Sequence, residues 1–112
     1  MDLKEYQTII EQTAIYPKEI GLAYCALGLT GEAGEVSDKI KKLYRDKNLL
    51  INKYISSEDK ESIIKEIGDV LWYCTALSAE LGYDLEDALS INYNKLIDRS
   101  KRGIISGSGD ER

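Results

Sequence analysis

The sequence predicts an all-α protein, an antiparallel four-helix-bundle-like domain. Three observations carry that expectation. Apolar residues recur at spacings of three and four through most of the chain, the period of an amphipathic helix. Leu, Ile, Ala, Glu and Lys are abundant, with one Pro and no Phe, which favours helix over sheet. The segments between periodic runs are short, as antiparallel helical neighbours require. The 112 residues suit one domain, and 43% hydrophobic content suffices for a core.

Residues 2–14 read as the first helix, capped by Asp2, with Leu3, Tyr6, Ile9, Ile10 and Thr13 as its stripe. Tyr16-Pro17 breaks it. A long second helix is expected from near Lys18 to about Arg45, carrying Gly28, Gly31 and Gly34 along one side. Each of these glycines costs up to about 1 kcal/mol against Ala, so close approach of another helix or a ligand is expected there. Residues 46–56 form a connector too apolar to hang free, suggesting a short packed turn of helix. Ser57 is expected to cap a third helix running to about Leu81, where Gly82 ends it. From Ile67 onward this helix is apolar nearly all round, which predicts a central, buried position. Asp84 caps a fourth helix, which runs to about Lys101. The domain is taken as residues 1–102, and residues 103–112 as a Gly/Ser-rich C-terminal tail, mobile in isolation.

Charge and composition remove several function classes. A net charge of −5 argues against nucleic-acid and anionic-membrane partners. The apolar runs contain charges and glycines, so no transmembrane span is read. The N-terminal MDLKEYQTIIEQ carries acids and does not read as a signal peptide. Cys25 and Cys74 lie in apolar runs and read as reduced, buried thiols of a cytoplasmic protein. No histidine is present, which excludes Ser-His-Asp and Cys-His chemistry and the Glu-x-x-His di-iron pattern.

The chemistry-bearing signal lies in two nearly apolar stretches. IGLAYCALGLTGEAGEV (20–36) has Glu32 and Glu35 as its only charges, and EIGDVLWYCTALSA (66–79) has Glu66 and Asp69. Spacing of three puts each pair on one helical face. Ionised carboxylates in apolar surroundings need a compensating partner, and neither stretch contains a cation. Side by side, the two helices bring four carboxylates around one cavity, able to hold one or two divalent ions. With oxygen ligands only, Mg²⁺ is expected, with Mn²⁺ a possible substitute. Asp38 sits beside Lys39 and reads first as a solvated residue. On the fourth helix, Asn92 falls within the stripe of Leu85, Ala88, Leu89 and Leu96, with Lys95 and Arg99 on the same side. An amide beside cations suits a ligand with a polar ring and phosphates, although cations near a helix C-terminus also favour the macrodipole. Tyr73 follows Asp69 by four and is a candidate phosphate contact. Trp72 and Tyr24 offer stacking surface, with core packing the plainer reading of each.

GEAGEVSD (31–38) followed by KEIGDVLWY (65–73) resembles the MazG-type all-α nucleoside triphosphate pyrophosphohydrolases, marked by Glu-x-x-Glu, a connector and Glu-x-x-Asp. ALGLTGEAGEV, ALSAELGYDLEDAL, NYNKLIDRSKRG and the closing GSGDER extend the resemblance to small bacterial and phage members over most of the chain. The resemblance implies Mg²⁺-dependent hydrolysis of a (deoxy)nucleoside triphosphate to the monophosphate and pyrophosphate, as in nucleotide-pool housecleaning. It implies that Glu32, Glu35, Glu66 and Asp69 serve catalysis and metal. By similarity to dCTP pyrophosphatases, Tyr73 and Asn92 contact nucleotide, as does Lys95. A homodimer or homotetramer is also implied, with sites near subunit contacts. Gly31 stands where many bacterial members have a further Glu, and the connector is rather long. A non-catalytic helical interaction module and a different nucleotide phosphohydrolase are the alternatives, and product analysis separates them.

Overall fold

The computed structural model describes residues 1–112 and contains helices and turns without strands. The helices are α1 (Leu3–Thr13), α2 (Gly21–Asp46), α3 (Leu49–Asn52), α4 (Ser57–Glu80) and α5 (Leu85–Lys101). The all-α expectation is met. Helix α2 packs along α4, and α4 also touches α1 and α5. Helix α4 is thus the central element.

Local chemistry accounts for the ends. The Asp2 carboxylate accepts from Glu5 N–H at 2.7 Å and starts α1. Asp84 and Asp87 form a reciprocal capping box at the start of α5, with side-chain to backbone distances of 2.8 and 2.9 Å. Ser56, one residue before the expected Ser57, caps α4 by accepting from Asp59 N–H at 3.1 Å. The two serines are adjacent, and the backbone enters the helix one residue earlier than the acidic pattern suggests. Gly82 turns the chain after α4 at φ 83°, a left-handed conformation that glycine adopts freely. Lys18–Ile20 is a 3₁₀ turn, and the long second helix begins only at Gly21. Pro17 at φ −61° leads into that tight turn instead of directly into α-helix.

The core is small. Ile10, Tyr16, Cys25 and Ala76 form its buried centre, with Tyr6, Ala14, Trp72, Tyr73 and Leu77 packed against it. Trp72 Nε1–H donates to Thr13 Oγ1 at 2.9 Å and joins α4 to α1. The expected burial of α4 is corrected. Only Thr75 and Ala76 of that helix are buried, and Ile64, Ile67 and Leu71 face outward. Each of these three keeps more than a third of its surface open. The connector does form a short helix, α3, but Leu50, Ile51 and Tyr54 are mostly exposed, so its packing is slighter than expected.

The tail is corrected as well. Arg112 donates to the carbonyls of Ile104, Ile105 and Gly109, and Arg102 donates to the carbonyl of Arg112. Arg99 donates to the carbonyls of Gly109 and Asp110 at 3.1 and 2.9 Å. Charge-assisted bonds to backbone therefore fold this Gly/Ser-rich stretch back on α5. Composition alone conceals that, because the arginines holding it lie at its two ends.

Candidate active site

Packing of α2 along α4 brings Glu32, Glu66 and Asp69 together. One carboxylate oxygen from each lies within 4.8 Å of the others. Glu32 and Glu66 are half-buried and Asp69 is more exposed. Glu35 does not join this group. It is exposed, one helical turn beyond Glu32 on α2. The expected set of four is therefore three together and one outlying.

Partial burial, then the nearby charges of Asp69, Glu66 and Glu35, push the Glu32 carboxyl above its usual range. Like charges at such distances resist simultaneous ionisation, and a cation relieves them. One cation already does so at the edge of the group. Lys39 Nζ lies 2.6 Å from Glu66 Oε1. Glu66 thus has a partner within the chain, and the expectation of wholly uncompensated carboxylates is corrected. The partner comes from outside both apolar stretches, seven residues after Glu32, on the same face of α2. That spacing is the signal by which the sequence could have disclosed it. Asp38 behaves as expected: Lys42 and Lys41 pair with it at 2.6 and 3.1 Å and draw its carboxyl below the usual range.

Glu32 and Asp69 open into a cavity of about 340 Å³ whose other walls are Thr13, Ile15, Tyr16, Tyr24, Trp72 and Tyr73. Four aromatic rings define its shape. Tyr16 stacks on Tyr24 with centroids 4.9 Å apart, and Trp72 meets Tyr73 edge-on at 4.9 Å. Both pairs have the offset or edge geometry that ring quadrupoles favour. Tyr16 is anchored by donating its hydroxyl to Glu80 Oε1. Tyr73 lies flat enough against α2 that a Cβ on Gly28 would run into its ring. Gly28 is thereby explained, whereas Gly31 and Gly34 have nothing within 4 Å. Burial, then Tyr24 and the Glu32 charge nearby, push the Tyr73 hydroxyl above its ordinary value, so it stays protonated. It is available as a hydrogen-bond donor.

Asn92, Lys95 and Arg99 do not line this cavity. They sit on α5, which packs on α4 and α1 and not on α2. Asn92 is exposed, and the stripe around it is half-open, with Leu89 at 48% and Leu96 at 47% exposure. Lys95 holds Asp110 at 3.1 Å, and the buried Arg99 holds the tail. The site residues that sequence reasoning missed are Tyr16, which is buried in the cavity wall, and Lys39. In the sequence Tyr16 reads only as a helix breaker beside Pro17.

Oxygen donors alone, three of them grouped and one, Glu32, pushed up by burial and then by its acidic neighbours, form a donor set suited to a hard divalent ion such as Mg²⁺. No helix is long and apolar enough to cross a membrane.

Comparison with known proteins gives the family. The model of the MazG nucleotide pyrophosphohydrolase domain matches residues 22–104, which contain all four carboxylates. The chain is 41% identical to the Gene 37 protein of Mycobacterium phage L5, and the match covers the full length of both. No solved structure matches the chain.

Proposed function

Because the chain belongs to the MazG nucleotide pyrophosphohydrolase family, we propose that it hydrolyses a (deoxy)nucleoside triphosphate to the monophosphate and pyrophosphate with Mg²⁺, Mn²⁺ being a substitute. The observation that carries this reading is the opening of Glu32 and Asp69 into an aromatic-walled cavity. One wall is anionic and suits a metal-bound polyphosphate. The others suit a flat ring, and about 340 Å³ is within the range of small-molecule sites.

Glu32, Glu66 and Asp69 hold the ion, with Glu35 as the fourth carboxylate of the site. The ion supplies electrostatic stabilisation of charge on the phosphate oxygens. A water molecule attacks the α-phosphorus, the α–β phosphoanhydride bond breaks, and pyrophosphate leaves with the bond electrons. A carboxylate accepts the proton of that water. Tyr24 and Trp72 offer faces to the base, and the Tyr73 hydroxyl donates to a phosphate oxygen. Asn92 and Lys95 are assigned to the nucleotide by similarity, and Arg99 by its place on the same side of α5. Within one chain Asn92 and Lys95 lie away from the cavity and Arg99 is buried against the tail, so that role requires a second copy. The open apolar faces of α4 and α5 support a homo-oligomer, and two reduced cysteines accord with a cytoplasmic setting. Housecleaning of the nucleotide pool is the role that this chemistry suits.

The test is product analysis over a panel of nucleoside triphosphates with Mg²⁺. Pyrophosphate and monophosphate are expected from the wild type, and neither from Glu66→Gln. Orthophosphate in place of pyrophosphate would favour another phosphohydrolase. No product from any nucleotide would favour a non-catalytic interaction module.

A further inference from the structure

Lys39 is the one cation in contact with the carboxylate group, and its three donors are fully used. Its Nζ lies 2.6 Å from Glu66 Oε1, 2.7 Å from Ser62 Oγ and 3.3 Å from the Ser62 carbonyl oxygen. An ammonium has three N–H bonds and no acceptor, so every donor points at α4. Ser62 and Glu66 are four residues apart on one face of that helix, which makes them a fixed two-residue seat for a lysine arriving from α2. The Lys39 and Glu66 side chains are 33% and 18% exposed, so water competes weakly at the carboxylate.

We propose that Lys39 is a positioning residue that reserves Glu66 Oε1 and presents Oε2 alone to the ion, making the site selective for Mg²⁺ over Ca²⁺. The inference rests on the metal-dependent reading above and adds a determinant of ion choice. The physical reason is coordination. Mg²⁺ takes six ligands in a tight octahedron, with a carboxylate giving one oxygen. Ca²⁺ takes six to eight and readily uses both oxygens of a carboxylate. A carboxylate with one oxygen held by an ammonium suits the first ion and withholds a ligand from the second. Hydrogen-bonded partners of metal ligands orient them in this way in general. The positive charge of Lys39 also repels any dication, but that effect is nearly equal for Mg²⁺ and Ca²⁺ and cancels in their ratio.

The experiment measures Mg²⁺ and Ca²⁺ binding to the full chain by calorimetry, with no nucleotide present. Wild type, Lys39→Met and Ser62→Ala are compared, with circular dichroism melting in EDTA to verify folding. The wild type is expected to prefer Mg²⁺. In Lys39→Met the Mg²⁺/Ca²⁺ affinity ratio should fall about tenfold, the lower end of the effect of losing a ligand's hydrogen-bonded partner. Ser62→Ala, which keeps the ammonium and loosens its seat, should lower the ratio by a smaller factor. A ratio unchanged in both variants overturns the inference while leaving the metal site standing. A wild type that binds neither ion overturns the metal reading and this inference with it.

Discussion

At the residue scale the decisive fact is that Glu32 is an acid whose ionised form the fold resists. Its raised carboxyl follows first from burial and then from Asp69, Glu66 and Glu35. The sign is that of an acid better protonated in the folded state. Its contribution to stability is largest below the ordinary Glu range and declines as pH climbs through the raised folded value. Without metal, Glu32→Gln should therefore melt above the wild type at neutral pH, and the gap should narrow on acidification. Thermal melts in EDTA across a pH series test this, and a gap independent of pH would refute it. Added Mg²⁺ should raise the wild-type melting temperature, because the ion binds only the folded site. Glu66→Gln and Asp69→Asn should lose most of that response. Each of these three substitutions should also lower the hydrolysis rate by at least about 10², as expected for losing metal or proton-transfer chemistry. Glu35→Gln should lower the rate while losing less of the Mg²⁺ response than Glu66→Gln, since Glu35 stands outside the group of three. Equal losses of that response would make Glu35 an equal ligand.

At the element scale, α2 and α4 are registered by two close approaches, Gly21 against the Glu80 carboxylate and Gly28 against Tyr73. Gly28 sits under the Tyr73 ring, and Tyr73 in turn meets Trp72 and Tyr24. Gly28→Ala should push Tyr73 off its seat at about 1–3 kcal/mol, the usual cost of overpacking. A denaturant melt with Trp72 as the only tryptophan reads both the loss and the local change. An unaltered midpoint would show that the helices can part without cost. Much of this level was legible beforehand. Helix types, the Asp84 cap and the pairing of the two acidic motifs follow from period and spacing. Lys39 was harder to see, because a lysine beside an aspartate reads as a surface pair, and only the three-dimensional register of α2 on α4 gives it Glu66. The tail is hard to read for a related reason: Arg99 and Arg102 act across ten or eleven residues of chain, a relation that composition does not carry. Glycines 31 and 34 stay unexplained within one chain.

At the scale of the whole molecule the chain is open for its length. Its radius of gyration is 17.2 Å, where about 13 Å is usual for this length. Its accessible surface is 8252 Å² for 12.6 kDa, against roughly 6,200 Å² for a compact monomer of that mass. The excess, about 2,000 Å² by that comparison, is of the size that stable subunit interfaces cover. Ile64, Ile67 and Leu71 on α4, with Leu89, Tyr93 and Leu96 on α5, are among the apolar residues left exposed. Sedimentation should accordingly give a multiple of 12.6 kDa. Ile64→Glu should shift the protein toward monomer with lowered stability, and a wild type that sediments as a monomer would end the homo-oligomer proposal.

An oligomer also gives the stranded residues of α5 a place to act. The carboxylates lie between α2 and α4, and Lys95 does not reach their cavity. If Lys95 serves a neighbour's site, two inactivating lesions on different subunits should complement each other. Glu66→Gln removes the acid side of a site, and Lys95→Ala removes its cation side. A random one-to-one mixture of dimers contains about half heterodimers, each with one site built from intact halves, so about a quarter of sites recover. The assay mixes the two variants under subunit exchange and measures pyrophosphate release below saturating nucleotide, where a lost phosphate contact weighs most. Activity near that fraction of wild type supports a composite site. Activity equal to the mean of the separate variants would place Lys95 and the carboxylates in unrelated roles.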